Sequence, residues 1–483
     1  MLYEKILTII QNNKKKIAIR TQNDCYTYDD LNKLIEIVKL AILNQNIDSF
    51  IPIGILLPNG INFIAALFAV LSLDFTVVLL GYSFKPSELL YHIKSGGIQI
   101  VFSCSDKSEC LNTIEGKKLS GVFDADVDLE YWVFDVETSE NMYEKKGICQ
   151  LTSGVGGKSK ASLRTQQAIL TEINGTIEVL KLNEDIRVLT LTPIHHSYGL
   201  VVGTLVPLLL GGEVLFLREF NPILASETIM EHNVNTLVAV PFMYKLLNES
   251  KLSDEIDFSQ LKYCLSAGAP LHINVYMAFK DRFKKKIIQD YGSTETGLIC
   301  INFDYEYKYE SVGQAITTTE IGIFIDAVRQ TETNVVGEVW VRSKGTALRY
   351  IYPSKINLES FYNDWYNTYD LGKLDDELYL YITGKKSNII NIDGLKADPV
   401  EIENVLLELD QISEAAITFQ RTQENRNILK AYIVPSKNAV LTEEEILKHC
   451  RIRLSDYKLP RIINFVNELP KTATGKILRG SLQ

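Results

Sequence analysis

The chain is poor in the residues that build special-purpose proteins. Its seven cysteines (Cys25, Cys104, Cys110, Cys149, Cys264, Cys300 and Cys450) are odd in number, scattered and never arranged as CxxC. Neither a zinc site nor a disulfide framework is expected, and a reducing, cytoplasmic setting suits them best. Only 28 Gly and 13 Pro occur in 483 residues, which excludes collagen-like and low-complexity chains. Positive charge is in deficit: 50 Lys plus Arg against 60 Asp plus Glu leave a formal charge of −10. A broad nucleic-acid or anionic-membrane surface is therefore not expected, and any phosphate chemistry must use local basic groups. Residues 1–16 lack a basic start followed by a long apolar run, so no secretory leader is expected. The most membrane-like stretch, residues 62–80, is broken by Asp74, well before the ~20 apolar residues that a spanning helix requires. No membrane span is expected.

What remains is ordinary globular composition, 46% apolar and 10% aromatic, in a chain long enough for two or three domains at roughly 100–200 residues each. Between Ile51 and Val101 short apolar strands (GILL at 54–57, TVVLL at 76–80) alternate with helical patterns at 61–73 and 86–94. The rhythm returns in the strands at 187–192, 214–217, 236–240 and 263–266. Such alternation predicts parallel sheets covered by helices on both faces. From Gly313 the pattern changes to short strands and turns, including GEVWV at 337–341. After Gly384 a small α+β unit is predicted: strand 388–392, helix 399–408, strands 415–419 and 429–434, and helix 443–454.

The first chemically informative segment is LTSGVGGKSKA, residues 151–161. Its hydroxyls, glycines and two lysines suit a loop whose backbone N–H groups face phosphate oxygens while Lys158 or Lys160 supplies charge. It is not a Walker loop, because no glycine sits at the required spacing before Gly157-Lys158-Ser159. Taken alone it also suits a plain surface turn. YGSTETG follows at 291–297 after the apolar KIIQ strand. Thr294 and Glu295 are thereby placed at the edge where parallel sheets usually bind ligands; a capping threonine is the ordinary alternative. Farther on come YDLGKLDDELYLYITGKKSNIINIDGLKADPVEIE (369–403) and LPKTATGKILRG (469–480).

In order and spacing these segments resemble the adenylate-forming superfamily of acyl-CoA synthetases, peptide-synthetase adenylation domains and luciferases. TYDDL (27–31), HHSYGL (195–200), VPFMYKLL (240–247) and SAGAPL (266–271) extend the resemblance over nearly the whole chain. It implies an α/β multidomain protein: a large N-terminal body of two α/β sheets plus a barrel-like β section (residues 1–386), and a small mobile α+β domain (387–483) hinged at Ser387. The implied reaction is ATP-dependent activation of a carboxylic acid to acyl-AMP with release of pyrophosphate. The acyl group then passes to the pantetheine thiol of CoA or of an acyl carrier protein.

The resemblance also implies roles for particular residues. Thr152, Ser153, Gly154, Lys158 and Lys160 would cradle phosphates, and Glu295 would hold Mg²⁺ beside Thr294. Ala267, Gly268, Ala269, Tyr291 and Gly292 would meet the adenine. Asp370 would take the ribose hydroxyls, with Lys385 nearby. Lys476 would bind the carboxylate and α-phosphate, and pantetheine would pass Gly394. His196, Tyr198 and Gly268 would line the acyl pocket. PIHHSYGL has no carboxylate to pair an α-ammonium, so a fatty or aryl acid is expected rather than an α-amino acid. The competing expectation is a non-catalytic acyl- or nucleotide-binding member of the same fold. The sequence departs from the family pattern at Val155 and Gly156 in the phosphate loop. It departs again at Tyr369, which interrupts the usual Thr-Gly-Asp, and at Lys385, where arginine is usual.

Overall fold

The computed structural model describes residues 1–45, 47–119, 128–152, 160–253, 256–386, 390–392, 395–397, 399–422, 427–437, 439–472 and 477–482. These fall into two compact units. One holds the described residues up to Glu320 together with Val341–Tyr366; the other holds Ile321–Trp340 and the described residues from Asn367 onward.

The first unit contains two large sheets. In one, nine strands run in the order Gln314–Ala315, Gly297–Asn302, Ile287–Ser293, Tyr263–Ser266, Thr236–Ala239, Arg187–Thr190, Glu213–Phe216, Ile17–Arg20 and Cys25–Thr27. Neighbours from Ile17–Arg20 through Ile287–Ser293 pair in parallel, and both ends of the sheet finish in antiparallel pairs. The other sheet has eight strands with a parallel centre, Ile148–Thr152, Val77–Leu79, Ile53–Ile55 and Ile100–Ser103. Strand residues of both sheets, such as Val214, Phe216, Ile53 and Val77, share one buried core with the helices between them. Helix Ile61–Ser72 is apolar nearly all round because it lies inside this core: of the positions from Ile61 to Leu71 only Asn62 is not buried and apolar.

The strands between Thr319 and Lys385, except Arg349–Tyr350, which joins the eight-stranded sheet, form a third, six-stranded sheet, the barrel-like section expected from the sequence. The C-terminal part holds helices Pro399–Leu407 and Glu443–Arg453 against a sheet of strands Ile412–Arg421, Asn427–Pro435 and Ile462–Phe465. Its own core includes Ile402, Leu406, Ile417, Ile433 and Ile446. Helix Glu443–Arg453 opens on a capping box, with Thr442 accepting from the Glu445 amide, three acidic residues in its first turn and Arg451 and Arg453 in its last. No described helix is long and apolar enough to cross a membrane.

Candidate active site

The two ends of the loop expected to bind phosphate are described. Thr152 ends one strand and Lys160 begins the next, and the two are directly paired across an antiparallel ladder. Ser153, Gly154, Val155, Gly156 and Lys158 lie outside the described residues. The Lys160 ammonium sits over the Tyr350 ring, 5.0 Å from its centroid, a cation–π contact that holds the side chain.

Tyr350 also reaches the second motif. Its hydroxyl donates to Glu295 Oε1 at 2.6 Å and lies 3.0 Å from the Tyr366 hydroxyl. All three residues are buried, Tyr350 completely. A charge-assisted bond in such a setting fixes the carboxylate's direction. The Glu295 backbone is pinned as well, its carbonyl accepting from the Ala347 amide at 2.6 Å. Thr294 and Glu295 sit in the turn between strands Ile287–Ser293 and Gly297–Asn302, so the motif is a hairpin rather than a strand feeding a capped helix. The threonine-cap alternative is thereby corrected: the chain reverses because Gly297, at φ +71°, takes a conformation that other residues rarely adopt. A Cβ there would stand 2.2 Å from the Glu172 carboxylate.

Glu172 and Arg164 form a hidden brace under this hairpin. Arg164 Nη1 donates to Glu172 Oε2 at 2.6 Å, Arg164 Nε to the Gly345 carbonyl at 2.9 Å, and the Leu298 amide to Glu172 Oε1 at 3.1 Å. Both side chains are fully enclosed, 1% and 3% exposed. Burial pushes the Glu172 carboxyl above the usual carboxylate range despite the arginine beside it.

Ala267, Gly268 and Ala269 directly follow strand Tyr263–Ser266, whose Ser266 is in register with Gln289. Gly268 has φ +84°, with only Val240 Cγ1 within 4 Å of the Cβ position, at 3.7 Å. Tyr291 is half-buried and Gly292 exposed on the adjoining strand. His196 N-caps helix Ser197–Leu200, which runs into a π-helical stretch, Val201–Leu205. Such widened turns are frequent at functional sites. His195 and His196 pack ring to ring with centroids 4.2 Å apart. Burial holds His196 down to about 4, and burial together with the neighbouring His196 holds His195 well below the usual histidine range, so both are neutral at pH 7.

In the second unit, Asp370 and Lys385 are direct partners across an antiparallel ladder, with Lys385 Nζ 3.5 Å from Asp370 Oδ1. Asp370 is 9% exposed. Its amide donates to Thr368 Oγ1 at 3.1 Å, and that hydroxyl donates to the Val339 carbonyl at 2.8 Å. Tyr369 lies at φ +60°, which explains why glycine is usual there in the family it resembles.

Ser387, Gly394 and Lys476 lie outside the described residues, but their neighbours are placed. Ile392 and Leu395 are paired across an antiparallel bridge around 393–394. Lys471 and Ile477 form an antiparallel bridge, and the Leu478 amide donates to the Pro470 carbonyl at 2.8 Å. Arg479 makes a two-pronged contact with Glu403, at 2.8 and 2.6 Å, and Lys458 one with Glu401, both at 2.6 Å. The two glutamates of the EIE motif thus clamp the C-terminal segment.

Among the described residues no cluster of three or more His, Cys, Asp or Glu side chains is arranged to hold a metal. A single fixed carboxylate such as Glu295 does fit Mg²⁺, which commonly takes one or two protein carboxylates and completes its shell with water and substrate phosphates.

Two large sheets, a barrel-like section and a small α+β part make up an α/β multidomain architecture, with hydroxyl, lysine and carboxylate groups at strand ends. The family model "AMP-binding enzyme" matches residues 8–351, and "AMP-binding enzyme C-terminal domain" matches 401–476. The chain belongs to this adenylate-forming family. It is 28% identical over 347 residues to a long-chain-fatty-acid–CoA ligase of Escherichia coli O157:H7, covering 70% of this chain and 62% of that protein. A long-chain-fatty-acid–CoA ligase of Yersinia pestis is 24% identical over 89% of this chain and 84% of its own length. Among solved structures, the o-succinylbenzoate CoA synthetase of Bacillus subtilis in complex with its acyl-adenylate intermediate superposes with a TM-score of 0.83. It is 23% identical and covers 99% of this chain and 97% of the other.

Proposed function

We propose that this chain activates a carboxylic acid with ATP and Mg²⁺ to acyl-AMP and pyrophosphate, then passes the acyl group to a pantetheine thiol. The observation that carries this reading is the Lys160–Tyr350–Glu295 arrangement, which sets a cation and a fixed carboxylate beside the hairpin turn. The chemistry asks a carboxylate anion to approach a polyanion. Like unit charges about 4 Å apart repel by ~1 kcal/mol in water and ~4 kcal/mol at an effective dielectric near 20. Lys160, with Lys158 in the same loop, would offset that repulsion at the β- and γ-phosphates, and Lys476 at the α-phosphate. Mg²⁺, when bound at Glu295, would neutralise phosphate charge. No acid–base dyad is required, because positioning and electrostatics suffice.

CoA is the acceptor that the acyl–CoA ligase relatives favour; a carrier-protein pantetheine presents the same thiol. A fatty or aryl acid is proposed because the segment at 193–200 offers no counter-charge for an α-ammonium. Residues 387–483 would rotate about Ser387, exchanging Lys476 for the Gly394 face between the two half-reactions, a lid-type step. In the non-catalytic alternative, Lys476, Glu295 and Asp370 would be free to drift, yet all three are present.

The test is a pyrophosphate-release assay with ATP, Mg²⁺ and a panel of fatty and aryl acids, with and without CoA. Release is expected with some of these acids, and Lys476→Ala should nearly abolish it. Gly394→Leu should leave pyrophosphate release nearly intact and block thioester formation; equal loss of both steps would refute the two-face assignment.

A further inference from the structure

The strand pair that carries the phosphate loop, Ile148–Thr152 with Lys160–Arg164, has two unlike faces. Residues two apart in a strand point to the same side, so Cys149, Leu151, Ala161 and Leu163 form one face, and they pack into an apolar core. The other face holds Gln150, Ser162 and Arg164, with Thr152 and Lys160 at its end. Polar faces of antiparallel strands usually meet water. This one is enclosed: Gln150, Ser162 and Arg164 are at most 1% exposed.

What this face meets instead of water is the rest of the candidate site. Arg164 Nε holds the Gly345 carbonyl, two residues before the Ala347 amide that pins the Glu295 backbone. Glu172, bonded to Arg164 Nη1, takes the Leu298 amide at the foot of the Thr294–Glu295 hairpin. The residues on either side of His196 are held as well: Arg164 Nη1 donates to Ser197 Oγ, and Gln150 Nε2 to the His195 carbonyl, both at 3.4 Å. One buried ion pair on the strand of Lys160 thus reaches Glu295 from two directions. Stability alone does not call for such a pair. Taking two charges out of water costs about as much as their attraction returns, and well-packed apolar side chains often hold a fold equally well. A guanidinium fork and a carboxylate supply fixed bond directions, which apolar groups cannot.

We propose that Arg164 and Glu172 are positioning residues for the adenylation step: they set the Glu295 hairpin in register with the strand of Lys160, so that the carboxylate and the ammonium meet one nucleotide in a fixed geometry. This rests on the adenylation reading above and adds the residues that hold its parts together. Neither side chain touches the reacting groups. Their effect passes through the Leu298 amide on one side and through Gly345 and Ala347 on the other.

The experiment compares the full chain with the apolar double variant Arg164→Met/Glu172→Leu and with the conservative variants Arg164→Lys and Glu172→Gln, each under conditions where urea titration shows it folded. The double variant should recover most of the urea midpoint that Arg164→Met alone loses, because no buried charge is left unpaired. Its kcat for pyrophosphate release should still fall by at least about tenfold, while KM for the acid changes by less than about threefold. By calorimetry without acid, its Kd for ATP should rise at least about tenfold with Mg²⁺ present and less than about threefold in EDTA. Arg164→Lys keeps the charge and Glu172→Gln keeps an acceptor for the Leu298 amide, so each should lose less. A double variant that folds and keeps both kcat and Mg²⁺-dependent ATP binding overturns the proposal, for the pair then only stabilises. If the double variant does not fold, the conservative variants decide: reduced kcat at a wild-type urea midpoint supports the positioning role, and unchanged kcat in both overturns it. Wild-type silence with every acid removes the adenylation reading, and the ATP-binding comparison then judges the pair by itself.

Discussion

Two carboxylic acids five residues apart, Asp290 and Glu295, stand in opposite conditions. Glu295 receives a short bond from Tyr350, and its backbone is held by Ala347. Asp290 is equally buried, but among the described residues its carboxyl meets the Tyr198 hydroxyl alone, and burial raises it well above the usual carboxylate range. The first carboxyl is aimed by a short hydrogen bond and a pinned backbone. The second is set chiefly by burial. The difference separates carboxyl groups held by a network of neighbours from those governed by the interior around them.

The brace should fail hardest. Arg164→Met removes the partner of buried Glu172 and leaves an enclosed carboxyl facing Gly297 and Leu298; a loss of about 3–5 kcal/mol is expected in urea unfolding. A loss below about 1 kcal/mol would mean that the pair does not brace the hairpin.

The histidine pair comes next. The folded-state pKa of His196 is depressed to about 4 against an ordinary 6.5. The unfolded chain therefore binds a proton first as pH falls. The stability contributed by the neutral ring is intact above about pH 6.5 and is lost progressively toward pH 4, by at most about 3 kcal/mol. His196→Asn should flatten that acid limb, measured as Tm against pH; an unchanged slope would mean the ring protonates freely in the fold.

Tyr350→Phe should affect Glu295 alone among the two carboxylic acids. Loss of one charge-assisted bond, about 1.5–3 kcal/mol, predicts at least a tenfold fall in pyrophosphate release and a higher Mg²⁺ requirement, with acid selectivity unaltered. A shift in acid preference instead, with the Mg²⁺ requirement unchanged, would mean that Tyr350 does not act through Glu295.

The smallest effect concerns Tyr369, whose φ of +60° carries about 1–2 kcal/mol of strain. Tyr369→Gly should raise stability by up to about 1 kcal/mol, because the greater unfolded-chain entropy of glycine offsets part of the relief. A loss of more than that would show that the tyrosine ring makes contacts worth more than the strain.

Much of this was legible in the sequence. The alternating strands and helices lie within a few residues of their expected positions: helix 61–73 is Ile61–Ser72, strand 263–266 is Tyr263–Ser266, and helix 443–454 is Glu443–Arg453. Periodicity is local, so it survives in one dimension. The strand before YGSTE runs longer than expected, to Ser293, because antiparallel pairing with Gly297–Asn302 extends it through a bulge at Tyr291/Gly292. Tyr350, Tyr366, Arg164 and Glu172 were not legible. Tyr350 meets Glu295 across 55 residues, and the fold that brings them together is encoded in neither segment alone. Asp290 was not legible either: it falls just past the expected KIIQ strand, and only the extension of that strand to Ser293 buries it.

The account stands most directly on one assay: ATP-dependent pyrophosphate release by the full chain with fatty and aryl acids, wild type against Lys476→Ala. It predicts acid-dependent release by the wild type and near-complete loss in the variant. Release that persists without Lys476, or ATP binding with no release for any acid, would contradict it.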